Sequence, residues 1–373
     1  MSKKDEMSVQ GRPVFLTEKH INKNQLLKRL RNDSMEVLNA DDRLILKEII
    51  SLLENDKLTL SDQEIQFLNS NSENLWSEYL TFRYKFNNFP IKRIVSDFPL
   101  YVLIEPVSAC NLRCIMCFQI DETFSGNKNF MGKMNISLFK KIIDECETGG
   151  TKAITLASRG EPTLHPQLGE MLEYCAGKFL ELKLNTNATK LTEKISHQIL
   201  KSEVTDLVYS IDSYTKKEYE SIRVQGVFED VLNNIKRFKE IKKQYPDSKC
   251  ATRISGVKVD PKQNPQKFKD FWQQYVDHVV MVEMEPKWDT YNNPVELAGK
   301  NPCQILWERM YVWYDGICNP CDADYKSALS VGSVNNSTIK EIWNSPKYKE
   351  IREFHSNGKR SMCFPCDRCP IET

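Results

Sequence analysis

What this 373-residue sequence lacks narrows its class before any motif is read. It has no charge bias: 52 Lys and Arg stand against 51 Asp and Glu, for a formal net charge of +1. Binding a polyanion draws on an excess of basic charge, so neither a nucleic acid nor a membrane is expected as a partner. It has no long hydrophobic run. Its apolar stretches, such as Leu100–Val107, fall far short of the roughly 20 residues needed to span a bilayer. Met1–Lys19 is polar and carries no apolar centre of the kind found in a secretion signal. A cytoplasmic location is therefore expected. Histidine is scarce, at 5 residues, which limits the ligands available to a metal. There is no internal repeat and no low-complexity tract.

What is present is a folded composition, 40% hydrophobic and 28% charged, long enough for one large core with appendages. Residues 1–95 read as a polar helical extension, with helices expected at His20–Leu30, Ala40–Glu54, Ser61–Asn69 and Glu73–Phe86. Asp41 and Asp42 are candidate caps for the second helix. Ser61 and Glu64 form a capping-box pattern before an apolar stripe. From about residue 98 strands and helices alternate. Strands are expected at Tyr101–Val107, Ala153–Ala157, Phe179–Thr186, Thr205–Ile211, Cys250–Val257 and His278–Met284. Helices of crossover length separate them, at Ile136–Cys146, Gln167–Gly177, Glu193–Leu200, Phe228–Ile241 and Pro265–Tyr275. This is a parallel α/β sheet spanning 96–299, with a ligand site expected at the carboxyl ends of its strands. Periodicity alone leaves open whether the sheet is doubly wound or curled. Residues 300–373 form a small Cys-rich region with one helix at Thr338–Phe354. So short a segment needs a metal or cluster as a cross-link.

The chain has 12 cysteines, and three of them, Cys110, Cys114 and Cys117, fall in a C-x3-C-x2-C run directly after the first strand. Three thiolates can hold three irons of a cubane and leave the fourth open to a small-molecule ligand. The competing reading is zinc, which takes four protein ligands in a structural site. No fourth Cys or His is close in sequence, the nearest histidine being His165.

The run Cys110-Asn-Leu-Arg-Cys114-Ile-Met-Cys117-Phe118 resembles the signature of the radical S-adenosylmethionine (SAM) superfamily. Ser158-Arg-Gly160-Glu161-Pro resembles its G-G-E-P segment, with Arg159 in place of the first glycine. Asn185-Thr-Asn187-Ala resembles its T-N-G segment, and Ser210-Ile-Asp212 its S-x-D segment. Tyr219-Glu-Ser-Ile-Arg223, with Gly226 and Phe228, is similar to a further family run. The resemblance implies a partial (β/α)6, TIM-like barrel. It also implies a [4Fe–4S] cluster on Cys110, Cys114 and Cys117, with SAM on the open iron, and a 5′-deoxyadenosyl radical as the product of SAM cleavage. A reducing partner such as flavodoxin or ferredoxin would supply the electron. The implied SAM contacts are Phe118, Gly160, Glu161, Asn185, Asn187, Ser210 and Asp212, with Arg253 as a candidate for the SAM carboxylate and Arg223 in a structural or SAM-side role.

Cys303, Cys318, Cys321, Cys363, Cys366 and Cys369 fill the tail, with Gly316 and an Ile339-Lys-Glu-Ile-Trp343-Asn segment between them. This resembles a SPASM domain and implies one auxiliary [4Fe–4S] cluster. The chosen set is Cys303, Cys321, Cys363 and Cys366, with Cys318 competing with Cys321 and Cys369 with Cys366. A closed four-cysteine zinc site remains the alternative there. An auxiliary cluster could take an electron from a substrate radical, bind substrate or relay electrons to the first cluster.

The expected reaction is hydrogen abstraction from a carbohydrate-like or other small molecule, leading to oxidation or epimerisation. The second reading is maturation of a ribosomally made peptide, with the N-terminal helices as a leader-binding module. The third is a non-catalytic, zinc-bound interaction protein. Glu283 and Glu285, leaving the sixth strand, are candidate bases, and the loop 122–133 is a candidate cover. Replacing Cys114 with Ala is expected to abolish SAM cleavage to 5′-deoxyadenosine; cleavage at the wild-type rate would refute the cluster assignment.

Overall fold

The computed structural model describes residues 13–15, 21–36, 39–284 and 289–371. The chain divides into two compact units, Met1–Lys92 and Arg93–Thr373.

The first unit contains α1 (Lys23–Glu36), α2 (Ala40–Glu54), α3 (Asp62–Ser70) and α4 (Trp76–Lys92). Its core gathers Leu26, Leu30, Leu46, Ile49, Leu53, Leu68 and Leu80. The Ser61–Glu64 capping box forms as the sequence indicates. The cap of α2 is Asn39, whose side chain accepts from the Asp42 amide, while Asp41 and Asp42 lie within the first turn. Two short strands, Pro13–Phe15 and Thr59–Ser61, pair antiparallel. The sequence reading had no strands here, because segments of three residues carry too little alternation to register.

In the second unit six parallel strands pair in chain order: β1 (Tyr101–Ile104), β2 (Ala153–Leu156), β3 (Glu181–Thr186), β4 (Asp206–Ser210), β5 (Ala251–Lys258) and β6 (His278–Glu283). The central strands are apolar runs because helices cover one face and packed side chains fill the other; all four residues of β1 and of β2 are buried. The crossovers are α5 (Ile136–Gly149), α6 (Leu168–Cys175), α7 (Glu193–Lys201), α8 (Lys216–Ile222) with α9 (Phe228–Lys242), and α10 (Pro265–Trp272). In α5, Phe139, Ile142, Ile143 and Cys146 form one buried stripe at helical spacing. Gly150 ends that helix in the left-handed region, φ +87°.

The Cys-rich region continues this sheet. β7 (Arg309–Val312) pairs parallel with β1, and β8 (Ile317–Asn319) and β9 (Gly332–Ser333) extend it antiparallel. β6 and β9 are therefore the two edges of a nine-stranded open sheet, so the barrel is partial. The single helix expected at Thr338–Phe354 is two helices, α11 (Ile339–Trp343) and α12 (Pro346–Ser356). Pro346 has no amide to continue the first, and Ser345 caps the second. Trp343 Nε1 donates to the Ser96 carbonyl at 2.7 Å, and the Ile339 amide donates to Glu145 of α5 at 2.8 Å.

Parallel pairing in chain order places the ends of β1 to β4, and the loops that follow them, on one rim. Leu184 of β3 is fully buried in the core under that rim. Truncating Leu184 to Ala is expected to cost about 2–5 kcal/mol of stability, read from the shift in denaturant midpoint; a cost below about 1 kcal/mol would show that this layer repacks freely.

Candidate cluster and cofactor sites

After β1 the chain enters the loop holding Cys110, Cys114 and Cys117. Arg113–Cys114 pairs antiparallel with Arg223–Val224, which fixes the middle cysteine. Gly160 packs directly on this loop. A Cβ there would lie 2.2 Å from the Val107 carbonyl oxygen and 2.5 Å from that of Ala109, so only glycine fits. The Glu161 amide donates to Ala109 O at 3.0 Å. Gln119 clasps both segments, its Nε2 donating to Ser108 O at 2.8 Å and to Arg159 O at 2.5 Å.

Glu161 is buried and its carboxylate is engaged inside the protein. It accepts from the Thr163 amide at 3.1 Å, the Thr163 hydroxyl at 2.5 Å, the Thr186 hydroxyl at 2.6 Å and the Asn187 amide at 2.7 Å. It thus joins the turns after β2 and β3. Asn187 Nδ2 in turn donates to Asn111 Oδ1 at 3.1 Å and to Cys110 Sγ at 3.8 Å. Burial holds the thiols protonated. It pushes Cys117 up to about 12 and Cys110 up to about 11, raises Cys114 as well, and the neighbouring thiols add to the rise at Cys110 and Cys117. Loading iron must therefore displace protons.

The residues fit the implied cluster and cofactor. The donors are three soft thiols. Among the described residues no three His, Cys, Asp or Glu side chains converge closely enough to ligate one ion. A cubane held through three different irons does not require them to. Two buried polar atoms at strand ends, Ser158 Oγ and Asn185 Oδ1, have no hydrogen-bond partner. Ser158 also adopts φ +117°, a conformation that favours glycine. Phe118 stacks on Tyr325 of the Cys-rich region, with centroids 4.7 Å apart and planes 13° from parallel.

Other expected contacts lie on and after the later strands. Ser210 is half-buried at the end of β4, on the rim. Asp212 is fully buried, accepts from the Val257 amide at 2.8 Å and pairs with Arg223 at 2.7 Å, so it faces protein on both oxygens. Arg253 is the third residue of β5, registered with Val208 and with His278, the first residue of β6. Through Val208 it lies level with Asn185 of β3. Glu283 ends β6 exposed and paired with Lys258 at 3.0 Å. Glu285 lies outside the described residues.

In the tail, Cys303, Cys321, Cys363, Cys366 and Cys369 form one group: Cys366 feels the charge of Cys303, Cys363 and Cys369, and Cys321 that of Cys366 and Cys369. Arg360 pins the final loop, donating to the carbonyls of Cys366 (3.2 Å), Cys369 (2.8 Å), Asn301 (3.2 Å) and Ile371 (2.9 Å). The Cys303 amide donates to His355 Nδ1 at 3.1 Å. Burial lowers this imidazole to about 4 and keeps it neutral, as an acceptor must be. Cys318 stands apart. It sits fully buried in the apolar core near Cys146, its thiol directed to the Gly316 carbonyl. Strand alternation turns it to the opposite face of β8 from Asn319, whose side chain donates to Asp324 at 2.9 Å. Cys321 thus lies with the other tail cysteines and Cys318 does not.

Comparison with known proteins agrees with this arrangement. The radical SAM superfamily model matches residues 104–272, and the iron–sulfur cluster-binding SPASM model matches 303–370. The chain carries a radical SAM domain followed by a SPASM iron–sulfur domain. A radical SAM/SPASM chain of this kind takes SAM and two iron–sulfur clusters as cofactors. It is 27% identical over 146 residues to the mycofactocin maturase MftC of Mycobacterium tuberculosis, which is 38% of this chain and 36% of that protein. The chain thus spans little more than a third of the curated relatives it first matches. It is 23% identical to AlbA of Bacillus subtilis, an antilisterial bacteriocin subtilosin biosynthesis protein, over 76% of this chain and 66% of AlbA. Its fold is similar to the crystal structure of Streptococcus suis SuiB, with a TM-score of 0.55 and 18% identity over 98% of this chain and 94% of SuiB.

In this radical SAM chain several site residues escaped sequence reading. Asn111, Gln119 and Tyr325 act through partners 11 to 207 positions away, and no local pattern marks them. Replacing Cys366 with Ala is expected to remove the auxiliary absorbance and lower iron by about four per chain, leaving some uncoupled SAM cleavage. Cys318→Ala is expected to keep the wild-type iron content; a loss of iron in that variant would return Cys318 to the ligand set.

Proposed function

We propose that this chain matures a ribosomally made peptide, forming a cross-link or inverting a stereocentre. The carrying observation is the extent of its likeness to a peptide-modifying relative. The AlbA match runs through 76% of the chain rather than the cluster-binding segment alone. MftC is named as a maturase, and SuiB has been crystallised bound to a precursor peptide, SuiA. These relatives reverse the order of the sequence reading, which placed a carbohydrate-like small molecule first.

When bound, the first cluster and SAM supply a 5′-deoxyadenosyl radical that removes a hydrogen atom from the substrate. The chain's own residues prepare the place for it. Gly160, Gln119 and Glu161 lock the turns after β2 and β3 onto the cysteine loop, and Phe118 with Tyr325 lays an aromatic wall beside Cys117. Ser158 and Asn185 offer polar atoms that nothing else satisfies, at the strand ends where such folds bind ligands. The buried Arg159–Glu105 pair fills the space behind the turn, excluding water from it. Residues 1–92, with a core of their own and a short antiparallel strand pair, support the reading of a leader-binding module; a sheet edge can accept an extended peptide as a further strand.

The test is anaerobic reconstitution with iron and sulfide, followed by SAM, dithionite and synthetic peptides encoded beside the gene. The expected outcome is 5′-deoxyadenosine together with a peptide that loses two hydrogen atoms, or gains one deuterium when the reaction is run in D2O. Turnover of a sugar or cyclitol with every peptide left unchanged would restore the small-molecule reading. Tightly bound zinc with no SAM cleavage would refute the enzyme.

A further inference from the structure

Arg223 ends α8 and enters the short antiparallel pair with the cysteine loop, where its Cα registers with that of Cys114. The Ile115 amide donates to Ile222 O at 3.0 Å and extends the pairing by one bond. The backbone thus delivers a guanidinium to the middle thiol of the first cluster site. Arg223 Nη1 donates to Cys114 Sγ at 3.8 Å, and Nε lies 2.7 Å from Asp212 Oδ2. Both side chains are buried, Arg223 at 7% and Asp212 at 0% exposure. Asp212 cannot swing away. Its Oδ1 accepts from the Val257 amide at 2.8 Å, and its carbonyl accepts from Gln263 Nε2 at 2.7 Å.

A buried cation beside a cluster-bearing thiolate has an electrostatic consequence. Reducing the cluster adds one electron and no proton, so the reduced state is more negative by one charge. A positive group in a low-dielectric setting stabilises that state more than the oxidised one and raises the reduction potential. An N–H donated to the ligand sulfur acts in the same direction, and outer groups of this kind tune metal sites generally. A carboxylate behind the cation opposes it. We propose that the Arg223–Asp212 pair sets the reduction potential of the cluster held by Cys110, Cys114 and Cys117: Arg223 raises it and Asp212 restrains it. This rests on the reading that those cysteines hold the SAM-binding cluster. It makes both residues positioning residues that act through Cys114.

The test is a redox titration of the full, reconstituted chain with dithionite as reductant, followed by electron paramagnetic resonance. The first cluster is recognised by the change in its signal when SAM is added. Arg223→Gln keeps a donor but removes the charge, and its midpoint is expected to move negative. Asp212→Asn is isosteric and still accepts from Val257, and its midpoint is expected to move positive. Arg223→Lys keeps the charge and is expected to fall between wild type and Arg223→Gln. Opposite shifts from two neighbours at full iron content are not what general loosening of the loop produces. Unchanged midpoints, or shifts of one sign in both variants, would overturn the proposal. Should Arg223→Gln load iron incompletely, Asp212→Asn decides alone: a positive shift supports the proposal, and a negative or absent shift ends it. Failure of the underlying reading has a different signature, a wild-type protein in which no signal responds to SAM.

Discussion

One buried ion pair holds the working face of this protein together. Arg159 donates from Nη2 to Glu105 Oε1 at 2.6 Å and from Nε to Oε2 at 2.7 Å, with both side chains all but inaccessible to water. A charge in such a place is tolerable only when fully paired, and here the pairing recruits three parts of the chain. Glu105 follows β1 and also accepts from the Arg159 and Tyr314 amides, each at 3.2 Å. Arg159 sits in the turn after β2 and donates from Nη1 to Tyr325 O at 2.9 Å. Its guanidinium lies 4.3 Å from the Trp313 ring centroid. Removing either partner would strand the other charge in the core, so the first strand, the SAM-side turn and the Cys-rich region must assemble together.

That pair also explains the one departure from the family pattern in the G-G-E-P segment. Arg159 stands where a glycine is usual, and its side chain is absorbed completely by Glu105, Trp313 and Tyr325. The unusual backbone angle falls instead on Ser158. Sequence reading could see the substitution but not its partners, which lie 54 to 166 positions away.

The fold was legible because its signal is local. Six apolar runs separated by crossover-length helices dictate a parallel sheet, and each run became a strand. The helix break at Pro346 was also written in the sequence, but the apolar spacing on either side masked it. The cysteines of the first site stood out by their spacing, and their expected role came from the family resemblance. The protein contacts of Glu161 and Asp212 were not legible, because a carboxylate at a strand end serves equally well for a cofactor or for a neighbouring loop. Cys318 lies inside β8 and Cys321 two residues beyond its end, a distinction that composition does not carry. At the end of β6 the sequence did not show the pairing of Glu283 with Lys258, which lies 25 positions away.

The parallel pairing of β7 with β1 means that the cysteine-rich tail is woven into the barrel sheet. β1 is the first strand of that sheet, and β7 is what covers its outer side, residue for residue from Arg309–Tyr101 to Val312–Ile104. A shortened gene product ending near residue 300 would expose a fully apolar strand edge, a template for aggregation. The tail is therefore no detachable bead: without it, another strand would have to fill the same groove.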